Sequence, residues 1–177
     1  AYYNRGHAYA KLGKYQEAIT DYTTAIKFNP DYADSYVNRG FAYAKLGKYQ
    51  ESIDDCTRAI KINPDYADAY YNRGYTYDDL GKYQEAIDDY TRAIKINPDY
   101  ADAYYNRGHA YAKLGKYQEA IGDNTSAIKI NPDHANAYYN RGVNKSKLGI
   151  DYCSDFKRAC ELGNEKGCEN FKLGDCN

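Results

Sequence analysis

Paired aspartates and three histidines are the side chains that could carry acid–base chemistry in this sequence. They are Asp54-Asp55, Asp78-Asp79, Asp88-Asp89, His7, His109 and His134. Adjacent residues on a helix point in different directions, so no aspartate pair forms a two-carboxylate centre. The stretch "NPDYAD" lacks the alternating oxygen ligands and the glycine of a calcium loop, and no phosphate loop or nucleophile motif occurs. We therefore predict a protein that is not an enzyme, with no catalytic residue, cofactor or metal.

Asparagines in a repeated context offer a different chemistry, that of hydrogen bonding. Each stands in the motif "NRG", and each copy follows the previous one by 34 residues. The five are Asn4, Asn38, Asn72, Asn106 and Asn140. A carboxamide has both donor and acceptor groups, so a row of them can pair with the N–H and C=O groups of an extended peptide. The alternative is that each asparagine bonds a neighbouring helix and tightens the packing.

An arginine follows each of these asparagines, and an aspartate lies 16 residues further on, or 14 in the last copy. The pairs are Arg5 and Asp21, Arg39 and Asp55, Arg73 and Asp89, Arg107 and Asp123, and Arg141 and Asp155. A half-buried guanidinium needs a partner, so we predict five structural ion pairs. The alternative is that both side chains are solvated, with the arginine stem lying along the surface.

Four of the five cysteines lie near the C-terminus: Cys153, Cys160, Cys168 and Cys176. If two helices meet near Gly163, the inner pair Cys160 and Cys168 and the outer pair Cys153 and Cys176 straddle the bend symmetrically. Two nested disulfides are then geometrically possible. Free buried thiols and a zinc site remain alternatives, although no C-x₂₋₄-C spacing occurs. Cys56 replaces a core tyrosine and is expected to be a buried free thiol.

The elements that position these residues follow from the 34-residue period. Four full units run from residue 1 to 136, and a fifth begins at Ala137 and then diverges. Each unit predicts two helices, because apolar and small residues recur at helical spacing on one face of each half. A glycine such as Gly13 ends the first helix, and Asn29-Pro30 ends the second. Asp31 and Asp34 are expected to cap the next helix.

The pattern of the unit resembles the tetratricopeptide repeat. Its residues are Tyr2, Gly6, Tyr9, Gly13, Tyr15, Ala18, Tyr22, Ala25 and Pro30. The resemblance implies an all-α fold, a right-handed α-solenoid of tandem helix-turn-helix repeats closed by a capping helix. The implied boundaries are 1–34, 35–68, 69–102, 103–136, a divergent 137–164, and a capping helix and tail at 165–177. "ACELGNEKGC" also resembles cysteine-rich relatives whose hairpins carry a disulfide across a similar interval.

The resemblance further implies that first helices line a concave groove that binds an extended segment of a partner protein. Expected peptide-binding residues are the five asparagines together with Tyr3, Tyr71, Tyr105, Tyr139, His7, Phe41, Tyr75 and His109. The last four, with Val143, differ between units and would supply selectivity. The family's clamp for acidic chaperone tails is not expected, because Tyr3 and His7 occupy positions where that clamp has a basic and an amide side chain.

Composition limits the other classes of partner. The formal net charge is −1, with 24 basic and 25 acidic residues, so neither nucleic acid nor an anionic membrane is predicted as a partner. No apolar run approaches the roughly 20 residues of a membrane span, which argues against membrane insertion. Because residue 1 falls inside a unit, we expect a fragment of a longer protein, and the missing signal peptide is uninformative. Bridged cysteines would favour an exported or periplasmic location, and free cysteines a cytoplasmic one.

The sequence thus predicts a protein–protein interaction scaffold that holds a peptide segment in its groove. The alternative is an architectural module whose similar units stack end to end, so that the chain associates with itself. A regulatory arm of a larger enzyme is a third possibility.

Overall fold

The computed structural model describes residues 1–173 and residue 176, and the described part contains eleven α-helices and no strand. The chain divides into two compact units, Ala1–Ile96 and Asn97–Asn177. The first unit holds α1 (Tyr2–Lys11), α2 (Tyr15–Phe28), α3 (Ala33–Lys45), α4 (Tyr49–Ile62), α5 (Ala67–Asp79) and α6 (Tyr83–Ile96). The second holds α7 (Ala101–Lys113), α8 (Tyr117–Ile130), α9 (Ala135–Lys147), α10 (Cys153–Glu161) and α11 (Glu165–Leu173).

Consecutive helices pack in pairs, which we number hairpin 1 (α1–α2) to hairpin 5 (α9–α10). The turn inside each hairpin needs a left-handed residue, and Gly13 has φ +73° there. Only glycine enters that conformation without steric cost. The second helix ends where an asparagine such as Asn63 adopts an extended backbone before proline, as residues before proline must.

The prediction that Asp31 and Asp34 cap the next helix, α3, is wrong. The N-cap of α3 is Tyr32, and no side chain caps that helix. Instead, Asn29 Oδ1 accepts a hydrogen bond from the backbone N–H of Asp31 at 3.3 Å, which closes the loop before the helix starts. Asp34 lies in the first turn and accepts a hydrogen bond from the Tyr66 hydroxyl at 2.5 Å. Its carboxylate therefore links hairpins 2 and 3 instead of capping a helix.

Close approach within a hairpin depends on a glycine of the first helix facing a large side chain of the second. A Cβ added at Gly74 would lie 3.0 Å from Tyr90 Cε1, and one added at Gly142 only 2.7 Å from Phe156 Cε1. Successive hairpins of the first unit share apolar contacts, since Tyr36, Val37, Ala59 and Ala69 form one buried cluster. We call the side of the first helices that carries the expected peptide-binding residues the flank.

Within the described residues, none of the helices combines the length and apolar character that a membrane span requires.

Candidate functional site

The arginine of each first helix positions its hairpin. Arg39 donates from Nε and Nη2 to the two carboxylate oxygens of Asp55, both at 2.7 Å, and from Nη1 to Thr23 Oγ1 of the preceding hairpin at 3.0 Å. Arg73 repeats the arrangement with Asp89 and Thr57 at the same distances. A bidentate guanidinium is held in a fixed orientation. It therefore fixes both the hairpin and its neighbour.

The other three arginines lie against the expected aspartates. Arg107 Nη2 lies 2.7 Å from Asp123 Oδ1, and Arg141 Nη2 lies 2.6 Å from Asp155 Oδ1. Arg5 Nη2 lies 2.7 Å from Asp21 Oδ1. The hydrogen bond from Arg5 lowers the pKa of Asp21, which keeps that buried carboxylate ionised. Arg141 also donates to Thr125 at 3.2 Å. Sequence reasoning missed the threonines, although Thr23, Thr57 and Thr125 keep the repeat register and were a readable signal.

Two asparagines of the first unit, Asn38 and Asn72, donate to their own helices. Asn38 Nδ2 lies 2.8 Å from the backbone oxygen of Asp34, and Asn72 Nδ2 lies 2.8 Å from that of Asp68. Asn38 Nδ2 also lies 3.3 Å from the Tyr3 hydroxyl. Neither Asn38 nor Asn72 has an Oδ1 atom that accepts a hydrogen bond within the described part of the chain. The amide is thus oriented by its helix, and its carbonyl oxygen is the group left for an outside donor.

The tyrosines that precede the asparagines are half-buried. The Tyr3 ring lies 5.9 Å from that of Tyr22 and 5.1 Å from that of Tyr32. Tyr71 lies 5.8 Å from Tyr90. The sequence predicted these tyrosines only as peptide-binding residues, but the rings of Tyr3 and Tyr71 also pack inward on aromatic residues of the second helices. They form the wall of the flank and expose only part of each ring.

The variable positions of the first unit meet around one lysine. Lys45 Nζ lies 5.2 Å from the centre of the Phe41 ring and 5.1 Å from the centre of the Tyr75 ring. Phe41 and Tyr75 are half-buried, and His7 is exposed. Phe41 also meets Tyr15 edge-on at 6.2 Å. This part of the flank therefore presents aromatic surface with one positive charge held between two rings.

In the second unit, several of the expected residues line one cavity of about 520 Å³. Its lining includes Tyr105, His109, Asn136, Tyr139, Asn140 and the turn at Leu162–Lys166. A further cavity of about 270 Å³ is lined by His109, Asn140, Val143 and residues around them. His109 and Asn140 belong to both cavities, so α7 and α9 present one recessed surface, which we call the α7–α9 recess.

The turn before α11 closes one side of the α7–α9 recess. Asn164 Nδ2 donates to Asn136 Oδ1 on α9 at 2.8 Å, and Asn164 Oδ1 accepts from the Gly167 backbone N–H at 2.7 Å. One amide therefore caps α11 and ties it to α9. Sequence reasoning did not identify Asn136 or Asn164, because their partnership depends on how two distant turns meet.

Two disulfides, Cys153–Cys176 and Cys160–Cys168, hold the C-terminal helices, and Cys56 is a buried free thiol. The nested pairing and the free thiol expected from the sequence are confirmed. The remainder of the capping segment predicted at 165–177, namely residues 174, 175 and 177, lies outside the described residues. Over the described ranges, no group of three histidines, cysteines or acidic residues is placed to hold a metal.

Models of known families match the chain over a continuous stretch. "TPR repeat" matches residues 6–47 and 77–115, and "Tetratricopeptide repeat" models match 33–66, 101–134 and 56–88. A comparison with curated proteins gives no match.

Solved structures extend the comparison to nearly the whole chain. One structure of MamA is 28% identical, with a TM-score of 0.81 over 92% of this chain and 96% of that one. A second MamA structure is 28% identical, with a TM-score of 0.79 over 98% and 94%. YrrB is 22% identical, with a TM-score of 0.76 over 97% and 91%, and shows the shared fold. The fold is an all-α repeat solenoid, and such proteins serve as protein-interaction scaffolds. The family matches and the paired helices together establish that the chain belongs to the tetratricopeptide repeat family.

Proposed function

We propose that this chain binds an extended segment of a partner protein on the flank formed by its first helices. The α7–α9 recess is the main contact surface in the second unit. In the first unit, the corresponding residues are Asn38 and Asn72 with the aromatic cluster at Phe41 and Tyr75.

The observation that carries this proposal is the convergence of His109, Tyr139 and Asn140 on one cavity of about 520 Å³. These residues are among those that the repeat register and the family resemblance predict to bind peptide. A recess of this size takes several side chains of a peptide, and its amide and aromatic lining matches the mixed composition of binding surfaces.

The ligand's chemistry follows from the orientation of the amides. The side chains of Asn38 and Asn72 donate to their own helices, so each offers Oδ1 to a backbone N–H of the bound segment. Peptide N–H groups are present in every sequence except at proline, so these contacts hold a backbone without selecting its side chains. Selectivity then falls to the variable positions, Phe41 and Tyr75 in one unit and His109 and Val143 in the other.

Two further considerations support the proposal. YrrB, whose solved structure is described as that of a repeat protein with an unusual peptide-binding site, shares the fold. The near-neutral balance of charges favours a protein ligand over nucleic acid or a membrane. We further propose an oxidising compartment for the protein, because bridged cysteines persist where thiols are not kept reduced.

The test is selection of peptides from a displayed random library on the oxidised chain, followed by affinity measurements on individual peptides by fluorescence anisotropy. We expect Asn140→Ala to weaken binding about tenfold, the loss of roughly 1.4 kcal/mol. Val143→Arg, which places a long side chain in the adjoining cavity, should abolish it. Methylation of the backbone nitrogen that meets Asn140 should cost as much as the alanine variant.

Gln118→Ala on the exposed side of α8 is the matched control and should leave the affinity unchanged. A library that yields no binding peptide, or peptides insensitive to both recess variants, would overturn the proposal. Light scattering over a range of concentrations separates it from the architectural alternative, in which the mass would rise with concentration in the absence of any peptide.

A further inference from the structure

The second helices of hairpins 2, 3 and 5 carry another set of arginines, and each of these contacts an aspartate or a tyrosine nearby. Arg58 Nη2 lies 3.8 Å from Asp31 Oδ1 in hairpin 2, and Arg158 Nη2 lies 3.5 Å from Asp133 Oδ1 in hairpin 5. In hairpin 3, the guanidinium carbon of Arg92 lies 5.8 Å from the centre of the Tyr70 ring. Each arginine thus contacts one of two groups that the repeat places nearby, the aspartate after Asn-Pro in hairpins 2 and 5 and a tyrosine of the first helix in hairpin 3, and we call these two groups the arginine site.

Hairpin 4 keeps the site and lacks the arginine. Ser126 stands where hairpins 2, 3 and 5 have Arg58, Arg92 and Arg158, and its hydroxyl donates to the Gly122 backbone oxygen at 3.2 Å. A cavity of about 490 Å³ remains. It is lined by Pro98, Asp99, Tyr104, Ser126, Lys129 and Ile130.

We propose that this cavity binds an arginine side chain of a partner protein. Asp99 supplies an exposed carboxylate and Tyr104 a half-buried ring, which are the groups that the chain's own arginines contact in the other hairpins. A guanidinium pairs with a carboxylate and stacks on an aromatic face at once, whereas a lysine ammonium lacks the planar geometry. An arginine from outside thus replaces the one that hairpin 4 lost.

Two neighbouring cations do not prevent this binding. The Tyr104 ring already meets Arg107 at 5.6 Å, but Tyr70 carries both Arg73 and Arg92, each at 5.8 Å. One tyrosine ring therefore accommodates two guanidinium groups. Lys129 has counterparts in Lys61 and Lys95, which coexist with Arg58 and Arg92 in the hairpins where the site is filled.

Hairpin 1 provides a contrast. Thr24 stands in the arginine position there, and the Tyr2 ring is stacked on Phe28 at 5.8 Å. The residue that corresponds to Phe28 is isoleucine in hairpins 2, 3 and 4. Hairpin 1 thus places an aromatic ring against one face of its tyrosine, while hairpin 4 replaces the arginine with nothing of comparable size. The cavity is also separate from the α7–α9 recess, since the two share no lining residue.

The test uses the oxidised chain and the tripeptide acetyl-Gly-Arg-Gly-amide, followed by ¹H–¹⁵N NMR. We expect saturable shifts at the amides of Asp99, Ser126, Lys129 and Ile130. The same tripeptide with citrulline, which keeps the shape without the charge, should produce none. Ser126→Arg restores the internal side chain and should abolish the shifts, whereas Ser126→Ala should leave them in place.

Two more variants keep the result decisive if Ser126→Arg perturbs folding. Asp99→Asn should weaken the arginine tripeptide at least about fivefold, because the charged partner is lost. Arg92→Ser should open the corresponding site of hairpin 3 and add shifts at Asp65 and Ile96. Equal shifts with citrulline, shifts confined to other residues, or binding indifferent to both Ser126→Arg and Asp99→Asn would overturn the proposal.

Discussion

Tyr22 and Tyr90 are completely buried, yet within the described residues their hydroxyls have no hydrogen-bond partner. Burial raises the pKa of Tyr22 to about 12. Hairpin 5 has Phe156 in the same register, over the same type of glycine. Where this position holds an aromatic ring, a phenyl group serves as well as a phenol, so the oxygen contributes nothing there.

We therefore expect Tyr90→Phe to stabilise the first unit by about 1 kcal/mol, since an unsatisfied buried hydroxyl is removed. Tyr66→Phe is the matched control with the opposite sign, because the Tyr66 hydroxyl donates to Asp34 and its loss should cost about 1 kcal/mol or more. Urea denaturation followed by circular dichroism measures both. A loss of stability in Tyr90→Phe would show that the hydroxyl has a partner, such as a buried water.

Cys56 is expected to be unreactive in the native protein. Burial raises the pKa of its thiol to about 12, and the thiolate is the nucleophilic form. At pH 8 the thiol is therefore both protonated and covered. A thiol reagent should find no reactive cysteine in the native oxidised chain and one after denaturation. Rapid native labelling would contradict the burial, and five thiols after denaturation would contradict the disulfides.

At the scale of single elements, α8 differs most from its counterparts. Gly122 stands mid-helix where hairpin 3 has Asp88, and Asn124 stands where hairpin 3 has Tyr90. Asn124 is completely buried, and in the described part of the chain its Oδ1 has no partner. Glycine in a helix interior costs up to about 1 kcal/mol relative to alanine. We expect hairpin 4 to have the lowest local free energy of unfolding of the five hairpins.

Gly122→Ala tests this directly and should stabilise the chain by about 1 kcal/mol, because nothing lies within 4 Å of the added Cβ. Gly142→Ala, the same substitution in α9, should destabilise it, because the new Cβ would lie 2.7 Å from Phe156 Cε1. Thermal denaturation of the two variants should shift in opposite directions. Equal shifts would mean that the local helix environments do not control the outcome.

The helices themselves were predictable because every signal repeats at 34 residues. Glycine, Asn-Pro and the apolar spacing mark the helix ends, and the structure places α3, α5, α7 and α9 in identical registers. The aspartate caps were predicted wrongly because α3 begins at Ala33, so Asp31 lies before the N-cap residue Tyr32 and Asp34 lies inside the first turn. Local propensity does not fix a helix start to the single residue that a cap requires.

The site was predictable only in part. The repeat register and the family resemblance together assigned His109 and Asn140 to one flank, and both line the α7–α9 recess. The inward packing of Tyr3 and Tyr71 was missed, because side-chain direction depends on the neighbouring aromatic rings. The cavity at Ser126 was also missed. It arises from an absent side chain, and its significance appears only when the filled sites of hairpins 2, 3 and 5 are compared.

At the scale of the whole molecule, the disulfides concentrate covalent support at one end. Cys160–Cys168 closes a short interval of eight residues between α10 and α11. Closing a loop of this length stabilises by about 2–3 kcal/mol in the chain-entropy model. Repeat proteins open locally because each repeat contacts only its neighbours, so the effect should stay near the bridge.

We expect reduction to increase backbone hydrogen exchange in α10 and α11 by at least tenfold while that of α3 to α6 stays the same. The double variant Cys160→Ser and Cys168→Ser removes the inner disulfide alone and should accelerate exchange in the same two helices under oxidising conditions. Hydrogen exchange with mass spectrometry measures it, and Cys56→Ser serves as a control that leaves α10 and α11 unchanged. Uniform acceleration along the chain would mean that the molecule unfolds as a single cooperative body.

The arginine that joins each hairpin to the threonine before it also bears on how such a chain can change length. Arg39 donates to Thr23 and Arg73 to Thr57, and hairpins 1 to 4 each carry both an arginine and a threonine in these positions, whereas hairpin 5 has Lys157 in place of the threonine. Consider a duplicated stretch of 34 residues inserted between hairpins 2 and 3. Its arginine would donate to Thr57 of hairpin 2, and its threonine would accept from Arg73 of hairpin 3. Growth by gene duplication therefore leaves no orphaned charge, and lengthening of the array requires no compensating mutation.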